Sequence, residues 1–284
     1  MPAKPQTVTE TLALGTVQLA KGSPSPRTDA QVLLAFALGR ERDWLVTHGD
    51  SFLSAGQAAR YAALCEKRAS GMPIPYITGF AGFYNREFAV NEHVLIPRPE
   101  TELLVELALE RIPRDRAFRI ADLGTGSGAI ALAIARERPL ARVTATDAST
   151  AALEVARGNA KRLGIGNIVF AEGDWYAAIG DAQFDVIVSN PPYIAANDAH
   201  LARGDLRFEP ASALASGDDG LDAIRHMIAG APHYLAEVGA LLLEHGFDQS
   251  ARVRALLDAA GFENVSSVRD NGGHERVTLG TKRG

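Results

Sequence analysis

The sequence predicts an α/β fold in which a small α-helical bundle precedes a mostly parallel, seven-stranded sheet. Leucines and alanines recur at helical spacing over the first 75 residues. After residue 118, short β-branched runs alternate with amphipathic helical segments, a pattern typical of βαβ units with right-handed crossovers. We therefore expect a helical domain over residues 1–75, a linker or β-hairpin over residues 76–100 and an α/β domain over residues 101–284.

Three segments rich in leucine and alanine make up the predicted helical bundle, and breakers separate them. Gly22-Ser23-Pro24-Ser25-Pro26 precedes the second segment, which Thr28 or Asp29 is expected to cap, and Ser54 marks the start of the third. This region carries no catalytic motif. We therefore expect it to recognise a substrate or to serve as a packing module.

Prolines, aromatic residues and β-branched residues are frequent in residues 76–100. Aromatic residues flank Asn85-Arg86, which predicts a hairpin or an extended linker. Residues 95–102 follow, and Thr101 or Glu100 is expected to open an amphipathic helix. The linker could form one wall of a substrate cleft.

The remainder of the chain contains seven strand candidates, at residues 119–123, 142–146, 168–171, 184–189, 240–244, 265–269 and 276–279. Helices fit between most of them, at residues 128–138, 151–163, 221–235 and 249–260. The last two strands are separated by Asn271-Gly272-Gly273. They should pair as an antiparallel hairpin at the end of the sheet.

A net charge of −5 and a single cysteine, Cys65, limit the functions open to this chain. Residues 101–284 carry 19 Lys and Arg against 25 Asp and Glu, which disfavours the basic groove that a nucleic-acid enzyme needs. One cysteine permits neither an internal disulfide nor a thiolate metal cluster, and no metal is expected. Apolar runs far shorter than roughly 20 residues and the lack of a signal-peptide pattern predict a cytoplasmic protein without a membrane span.

A glycine-rich stretch, Asp122-Leu123-Gly124-Thr125-Gly126-Ser127-Gly128, follows the first strand of the α/β region. Glycines at alternate positions let the backbone turn tightly and approach a ligand, and the next helix presents free N–H groups. The spacing differs from the G-x-G-x-x-G dinucleotide motif, and no Lys-Ser/Thr is present for a triphosphate. Because Asp122 would repel a pyrophosphate, the loop favours a cationic ligand, such as the amino acid portion of S-adenosylmethionine.

Acidic residues also follow the next two strands. Asp147 ends the second strand, where its carboxylate can accept hydrogen bonds from both hydroxyls of a ribose or cap the next helix. Asp174 and Trp175 follow the third strand, where the carboxylate can bind an adenine amine and the ring can cover the base or simply join the core. Because open α/β sheets bind ligands at the carboxyl ends of their strands, we expect these side chains near the glycine loop.

Asn190-Pro191-Pro192-Tyr193 follows the apolar run of residues 184–189, which predicts a rigid turn at the end of a buried strand. The prolines fix φ and carry no N–H, so the carbonyl groups of Asn190 and Pro191 have no helix or ladder to join. Such acceptors suit a planar group with two N–H donors, either a carboxamide or an exocyclic base amine. The same residues could also be a loop that only ends a strand.

The order of these motifs resembles the class I S-adenosylmethionine-dependent methyltransferases, which have a Rossmann-like sheet. Within that group, the chain is similar to the HemK-type protein-(glutamine N5) methyltransferases that modify peptide chain release factors. The narrower resemblance rests on Ile96-Pro97-Arg98-Pro99-Glu100 and Phe208-Glu209-Pro210, because many amino-methylating enzymes share the other motifs. It covers almost the whole chain and shows no departure at a motif position.

The resemblance implies methyl transfer from S-adenosylmethionine, with S-adenosylhomocysteine as the product, to the glutamine of a release factor's Gly-Gly-Gln motif. Asn190, Pro191 and Tyr193 would be catalytic, and Pro192, Arg98 and Glu209 would join them in binding the substrate. The implied cofactor-binding positions are Asp122, Gly124, Thr125, Gly126, Gly128, Asp147, Asp174, Trp175 and Asn190. Arg98 and Glu209 could equally have structural roles. A monomer without a direct nucleic-acid substrate is expected.

Four other functions are compatible with parts of the sequence. An adenine-N6 methyltransferase acting on DNA or RNA would use the same acceptor pair on a flipped base, although the acidic charge of residues 101–284 argues against it. A ribosomal-protein glutamine methyltransferase is the second alternative. A non-catalytic module that binds S-adenosylmethionine would not need an intact Asn-Pro-Pro-Tyr, and the glycine spacing opposes a dehydrogenase.

Overall fold

The computed structural model describes residues 6–284, which fold into two compact units. The first, called the helical unit, ends at Gly79, and the second, called the α/β unit, spans Phe80–Gly284. Residues 1–5 of the predicted helical domain lie outside the described residues.

The described part of the helical unit contains five helices: α1 (Val8–Leu19), α2 (Pro26–Leu38), α3 (Arg42–Thr47), α4 (Ala55–Ala69) and α5 (Ile74–Thr78). Their apolar side chains form one core, in which Leu19, Leu33 and Cys65 are wholly buried. Ser54 caps α4, as predicted. Its hydroxyl accepts a hydrogen bond from the Gln57 N–H, and Gln57 Oε1 accepts one from the Ser54 N–H at 2.9 Å, so two N–H groups that a helix start leaves free are satisfied.

The start of α2 differs from the prediction. The helix begins at Pro26, so Thr28 and Asp29 lie inside its first turn and neither caps it. Proline suits the first helical position, because its φ is already helical and its missing N–H would have no partner there. Asp29 instead accepts a hydrogen bond from Arg68 Nε at 2.6 Å, and this buried ion pair joins α2 to α4.

The α/β unit opens with a hairpin of β1 (Phe80–Phe83) and β2 (Arg86–Ala89). Tyr84 and Asn85 have φ angles of 47° and 56°, which is typical of a two-residue type I′ turn. Strands and helices then follow as α6 (Glu102–Arg111), β3 (Arg119–Leu123), α7 (Ala129–Glu137), β4 (Arg142–Asp147), α8 (Thr150–Leu163), β5 (Ile168–Glu172), β6 (Phe184–Ser189), α9 (Asp222–Tyr234), β7 (Leu235–Glu244), α10 (Ser250–Ala259), β8 (Glu263–Arg269) and β9 (Glu275–Thr281).

The seven strands β3 to β9 form one sheet in the order β5-β4-β3-β6-β7-β9-β8, which confirms the predicted fold class. Strands β3 to β7 pair in parallel, whereas β9 runs antiparallel between β7 and β8. The chain moves outward from β3 to β5 and then returns to place β6 beside β3. Open α/β sheets bind ligands in the crevice at the carboxyl ends of the strands where the order reverses, which here is between β3 and β6.

The central strands are buried on both faces. In β6, Val186 and Val188 belong to the core that contains α6 and α7, whereas Ile187 belongs to the core that contains α9 and α10. Successive side chains of a strand point to opposite faces of the sheet. A strand between two helical layers therefore needs consecutive apolar residues, as at residues 186–188.

Val238 in β7 has an unfavourable backbone conformation. Its φ is 61°, and its side chain is 69% exposed. A β-branched residue in this left-handed region costs on the order of 1–3 kcal/mol, more than the roughly 0.5–1 kcal/mol entropy cost of glycine. We therefore expect Val238→Gly to raise the free energy of unfolding by about 1 kcal/mol, measured by urea denaturation.

Val169→Gly in β5 is the matched control for Val238→Gly. Val169 is 61% exposed, and its φ is not positive. Glycine there relieves no strain, so the free energy of unfolding should fall. Equal losses in the two variants would show that Val238 is not strained.

Candidate active site

A cavity of about 480 Å³ opens at the carboxyl ends of β3, β4 and β6, and cavities of this size hold small-molecule ligands. The predicted site residues that line it are Arg98, Gly124, Thr125, Gly126, Asp147, Asp174, Trp175, Asn190 and Pro192. The structure thus brings together residues from five segments that are far apart in the chain. The other predicted site residues do not line the cavity; these are Asp122, Gly128, Pro191, Tyr193 and Glu209.

The glycine loop curls over the end of β3. Gly124, Gly126 and Gly128 have φ angles of 73°, 55° and 81°, in the left-handed region that favours glycine. At Gly128 a Cβ atom would also approach Leu132 Cδ1 to 3.0 Å and Ala156 Cβ to 3.2 Å. Gly128 therefore serves the packing of the loop against α7 and α8, whereas Gly124 and Gly126 expose bare backbone to the cavity.

Asp122 lies beneath the glycine loop and is wholly buried. Its Oδ2 accepts a hydrogen bond from the Thr125 hydroxyl at 2.6 Å, and its Oδ1 has no partner within residues 6–284. Burial raises the pKa of Asp122 from 3.8 to about 7, the Asp147 charge adds to the rise, and the Thr125 hydrogen bond opposes it. The sequence predicted direct contact with a cationic ligand, but the structure shows Asp122 supporting the loop through Thr125.

Asp147 ties the end of β4 to the glycine loop. Its Oδ2 accepts a hydrogen bond from the Gly126 N–H at 2.9 Å, and its Oδ1 accepts one from the Ser149 N–H at 2.9 Å. The cap of α8 is Ser149, whose hydroxyl accepts from the Ala152 N–H. Asp147 also lines the cavity. A carboxylate has about four lone-pair sites, so two remain for a ligand.

Asp174 and Trp175 line the cavity beyond the end of β5. Asp174 is exposed and Trp175 is half-buried. The Trp175 ring lies beside the glycine loop, since a Cβ atom at Gly124 would come within 3.3 Å of its Cζ3. The ring also packs against the core that contains α9 and α10. Trp175 therefore packs against the core and also borders the cavity, and its contact with an adenine ring stays a prediction.

The Asn190-Pro191-Pro192-Tyr193 segment is held in place by the contacts of Tyr193. The Tyr193 carbonyl accepts a hydrogen bond from Gln249 Nε2 at 2.9 Å, and a Cβ atom at Gly220 would come within 2.3 Å of that same oxygen. The Tyr193 ring packs against the core that contains α9 and α10 and does not line the cavity. Tyr193 thus anchors the segment in this structure, whereas the resemblance implied a direct catalytic role.

Buried polar side chains lie directly behind Asn190. Asn190 Nδ2 donates a hydrogen bond to Thr101 Oγ1 at 3.1 Å. The Tyr193 hydroxyl lies 3.4 Å from Glu244 Oε1 at the end of β7. Burial raises the pKa of Glu244 from 4.5 to about 7, against opposing effects of Thr101, Arg276 and Tyr193. Thr101 precedes α6, as predicted, but its hydroxyl does not cap that helix.

Arg98 and Glu209 form an ion pair between Arg98 Nη2 and Glu209 Oε1. Glu209 Oε2 also accepts a hydrogen bond from the Ile96 N–H at 3.0 Å. Burial raises the pKa of Glu209, although the Arg98 guanidinium opposes the rise. Glu209 therefore holds residues 96–98 against the loop that follows β6. Arg98 itself borders the cavity.

Four residues of the site have no role that the sequence predicts: Thr101, Glu244, Gln249 and Gly220. Glu244 carried one available signal, because it ends an apolar strand, where the other strand ends of this sheet place functional side chains. No sequence signal marks Gln249 or Gly220, because their contacts with Tyr193 join parts of the chain more than 25 residues apart. Such contacts follow from the topology of the sheet and not from local spacing.

Two family models match this chain: the PrmC N-terminal domain over residues 10–79 and the methyltransferase small domain over residues 100–217. A release factor glutamine methyltransferase of Xylella fastidiosa (strain 9a5c) is 55% identical over 254 residues, which cover 89% of this chain and 92% of that protein. The chain belongs to the release factor glutamine methyltransferase family. The protein of that name from Burkholderia pseudomallei (strain K96243) is 53% identical over 269 residues, covering 93% of this chain and 94% of its own.

A solved methyltransferase structure from Pyrococcus furiosus shares the fold, with a TM-score of 0.55 at 16% identity over 71% of this chain and 91% of that one. Membership of the family makes this chain a protein glutamine methyltransferase and favours that activity over the adenine, dehydrogenase and non-catalytic alternatives. Within residues 6–284, no cluster of His, Cys, Asp or Glu is arranged to hold a metal ion. No helix in the same range is long and apolar enough to cross a membrane.

Proposed function

We propose that this methyltransferase transfers the methyl group of S-adenosylmethionine to the side-chain amide nitrogen of the glutamine in the Gly-Gly-Gln motif of peptide chain release factors. The observation that carries the proposal is the position of Asn190, whose amide borders the same cavity as the glycine loop and Asp147. The names of the relatives support the substrate class.

The cavity residues fit S-adenosylmethionine. Asp147 has lone pairs left for two ribose hydroxyls, and Asp174 with Trp175 can bind an adenine amine and cover its ring. Gly124 and Gly126 present bare backbone, which an amino acid moiety can approach closely. Carboxylates on this wall also favour the positive charge of a sulfonium.

Asp147→Ala should raise the dissociation constant of S-adenosylmethionine about 100-fold. It removes an ionised acceptor for ribose and the partner of the Gly126 N–H, and hydrogen bonds to charged groups contribute roughly 1.5–3 kcal/mol each. Isothermal titration calorimetry measures the effect. Asp185→Ala is the matched control, because its carboxylate also accepts a backbone N–H, from Arg119 at 2.7 Å, but at the opposite end of the sheet. Equal losses in both variants would refute the ribose contact.

A glutamine amide nitrogen is a poor nucleophile, because its lone pair is delocalised into the carbonyl group. Asn190 Oδ1, on a residue that borders the cavity, accepts one N–H of that amide, which orients the nitrogen and makes it more electron-rich. The resemblance implies the Pro191 carbonyl as the second acceptor, although Pro191 does not line the cavity in this structure. S-adenosylmethionine, when bound, supplies an electrophilic methyl group on a sulfonium. With that donor bound, the new N–C bond would form as the S–C bond breaks, and the nitrogen, cationic after the transfer, would lose its proton to water. The contacts of Tyr193 with Gln249 and Gly220 keep the segment that carries both acceptors in place.

We also propose that the helical unit recognises the release factor and that the enzyme acts as a cytoplasmic monomer without a nucleic-acid substrate. The helical unit carries no catalytic motif in its sequence, which supports a role in recognition. The acidic balance of residues 101–284 supports the absence of a nucleic-acid substrate. Light scattering after size-exclusion chromatography tests the oligomeric state.

One assay tests the substrate. The enzyme is incubated with a labelled methyl donor and, separately, an intact release factor, a release factor whose Gly-Gly-Gln glutamine is replaced, ribosomal proteins and DNA. Label on the intact release factor alone is expected. Label on DNA would favour an adenine-N6 methyltransferase, and label on ribosomal proteins would favour a ribosomal-protein glutamine methyltransferase. Label on the release factor that lacks the Gly-Gly-Gln glutamine would show that another residue is modified.

A further inference from the structure

The polar side chains behind Asn190 lie between the cavity and the end of β7. Thr101 is 4% exposed, and its hydroxyl accepts a hydrogen bond from Asn190 Nδ2 at 3.1 Å. The Thr101 hydroxyl also lowers the pKa of Glu244, which is wholly buried and whose Oε2 has no hydrogen-bond partner within residues 6–284. Glu244 Oε1 in turn lies 3.4 Å from the Tyr193 hydroxyl. Thr101 thus bonds a cavity-lining amide and, through its effect on the Glu244 pKa, is coupled to a buried carboxyl group.

The orientation of the Asn190 amide decides what the cavity offers a substrate. A side-chain amide can rotate by 180°, which exchanges an acceptor oxygen for a donor NH₂. Only the oxygen can accept an N–H of a glutamine amide. Thr101 alone does not select between the two, because a hydroxyl can donate or accept. The choice therefore depends on what the Thr101 hydroxyl proton itself binds.

An ionised carboxylate can only accept hydrogen bonds. Beside ionised Glu244, the Thr101 hydroxyl proton is directed to the carboxylate, and the Thr101 oxygen is left to accept from Asn190 Nδ2. This arrangement turns Asn190 Oδ1 away from Thr101 and toward the cavity. A protonated Glu244 could instead donate to Thr101, which would free the Thr101 proton to bind Asn190 Oδ1 and favour the unproductive orientation.

We propose that Thr101 and Glu244 are positioning residues that hold the Asn190 amide with its oxygen presented to the substrate. The proposal rests on the proposed function, in which Asn190 Oδ1 accepts a substrate N–H. The groups that face Glu244 are Thr101 and Glu100 from the turn before α6, Tyr193 from the loop after β6 and Arg276 from β9. Thr101 also lines the cavity, whereas Glu244 does not.

Thr101→Val and Thr101→Ser test the hydroxyl. Valine keeps the shape of threonine but removes the hydroxyl, so kcat should fall on the order of tenfold with the KM for S-adenosylmethionine within about twofold. Serine keeps the hydroxyl and should restore kcat to within about threefold of the wild-type value. Thr278→Val, which removes another buried hydroxyl that bonds His245 Nε2 at 2.7 Å, should leave kcat unchanged. Wild-type kcat in Thr101→Val, or no rescue by serine, would overturn the proposal.

A double-mutant cycle separates positioning from general support. If Thr101 acts through Asn190, Thr101→Val should have no further effect in an Asn190→Ala background, whereas an equal loss in both backgrounds would refute it. An Asn190→Ala enzyme with wild-type turnover would instead refute the proposed function. If residual turnover in that background is too low to measure, the comparison of valine and serine at position 101 still decides.

Glu244→Gln tests the second positioning residue. In the wild type, kcat should fall as pH drops below about 7, because Glu244 then becomes protonated and no longer fixes the direction of the Thr101 hydroxyl. Glutamine cannot ionise, so this acidic limb should be absent from the kcat profile of the variant. An acidic limb of unchanged midpoint in Glu244→Gln would show that Glu244 does not control the site.

Discussion

Replacing Asn190 by alanine is expected to lower kcat by about a thousandfold while the affinity for S-adenosylmethionine stays within about twofold. The substitution removes the oxygen that accepts a substrate N–H, and the loss of one preorganised group of this kind typically lowers kcat by about 10²–10³. Asn190 also loses its hydrogen bond to Thr101, so the segment around it is less well held. Single-turnover methylation of a release factor with labelled donor measures the rate of the chemical step.

Asn197→Ala is the matched control for Asn190→Ala. Asn197 lies seven residues further along the same loop, is exposed and does not line the cavity. It should keep the wild-type rate. A near wild-type rate in Asn190→Ala itself would remove the observation on which the proposed function depends. A large loss in donor affinity would instead assign Asn190 to cofactor binding.

The sheet could be predicted well because its central strands are buried on both faces. The strand at residues 184–189 was predicted with both ends correct, since its mainly apolar residues stop at Asn190 and Pro191. β7 instead starts at Leu235 and not at residue 240. Glu237 and Gly239 interrupt the apolar pattern of residues 235–239, so the sequence does not predict a strand there. The positive φ of Val238 shows that the backbone is also irregular at this point.

The cavity could be predicted only in part, because local motifs reveal which residues sit at strand ends but not where their side chains point. Asp147 and Trp175 face the cavity, whereas Asp122 at the end of β3 points beneath the loop. Tyr193 does not line the cavity either, because Gln249 and Gly220, which come later in the sequence, fix the position of its carbonyl group. Pairings of this kind are set by tertiary packing.

The stability of the ligand-free enzyme should fall as the pH rises from about 4 to above 7. Burial raises the pKa of both Asp122 and Glu244 to about 7, from 3.8 and 4.5. Between these limits the folded protein keeps two protons that the unfolded chain has released. Stability falls with pH wherever the folded state binds more protons. At 1.36 kcal/mol for each pKa unit, the two groups contribute about 4 and about 3 kcal/mol.

Asp122→Asn and Glu244→Gln should each remove one part of this pH dependence. Asparagine and glutamine resemble the protonated acids in shape and cannot ionise. Near pH 5, the free energy of unfolding of each variant should therefore be close to that of the wild type. At pH 8 it should exceed the wild-type value by up to about 4 kcal/mol for Asp122→Asn and about 3 kcal/mol for Glu244→Gln. Urea unfolding at both pH values, without methyl donor, gives the free energies.

The double variant shows how much of the pH dependence of stability comes from these two carboxyl groups and how much from the rest of the protein. Asp122 supports the glycine loop and Glu244 lies behind Asn190, and no hydrogen bond joins them within the described residues, so their effects should add. The free energy of unfolding of the double variant should then change least between pH 5 and pH 8. If all three variants instead follow the wild-type curve in parallel, neither carboxyl group keeps its proton in the folded enzyme, and the pH control inferred for Asn190 loses its physical basis.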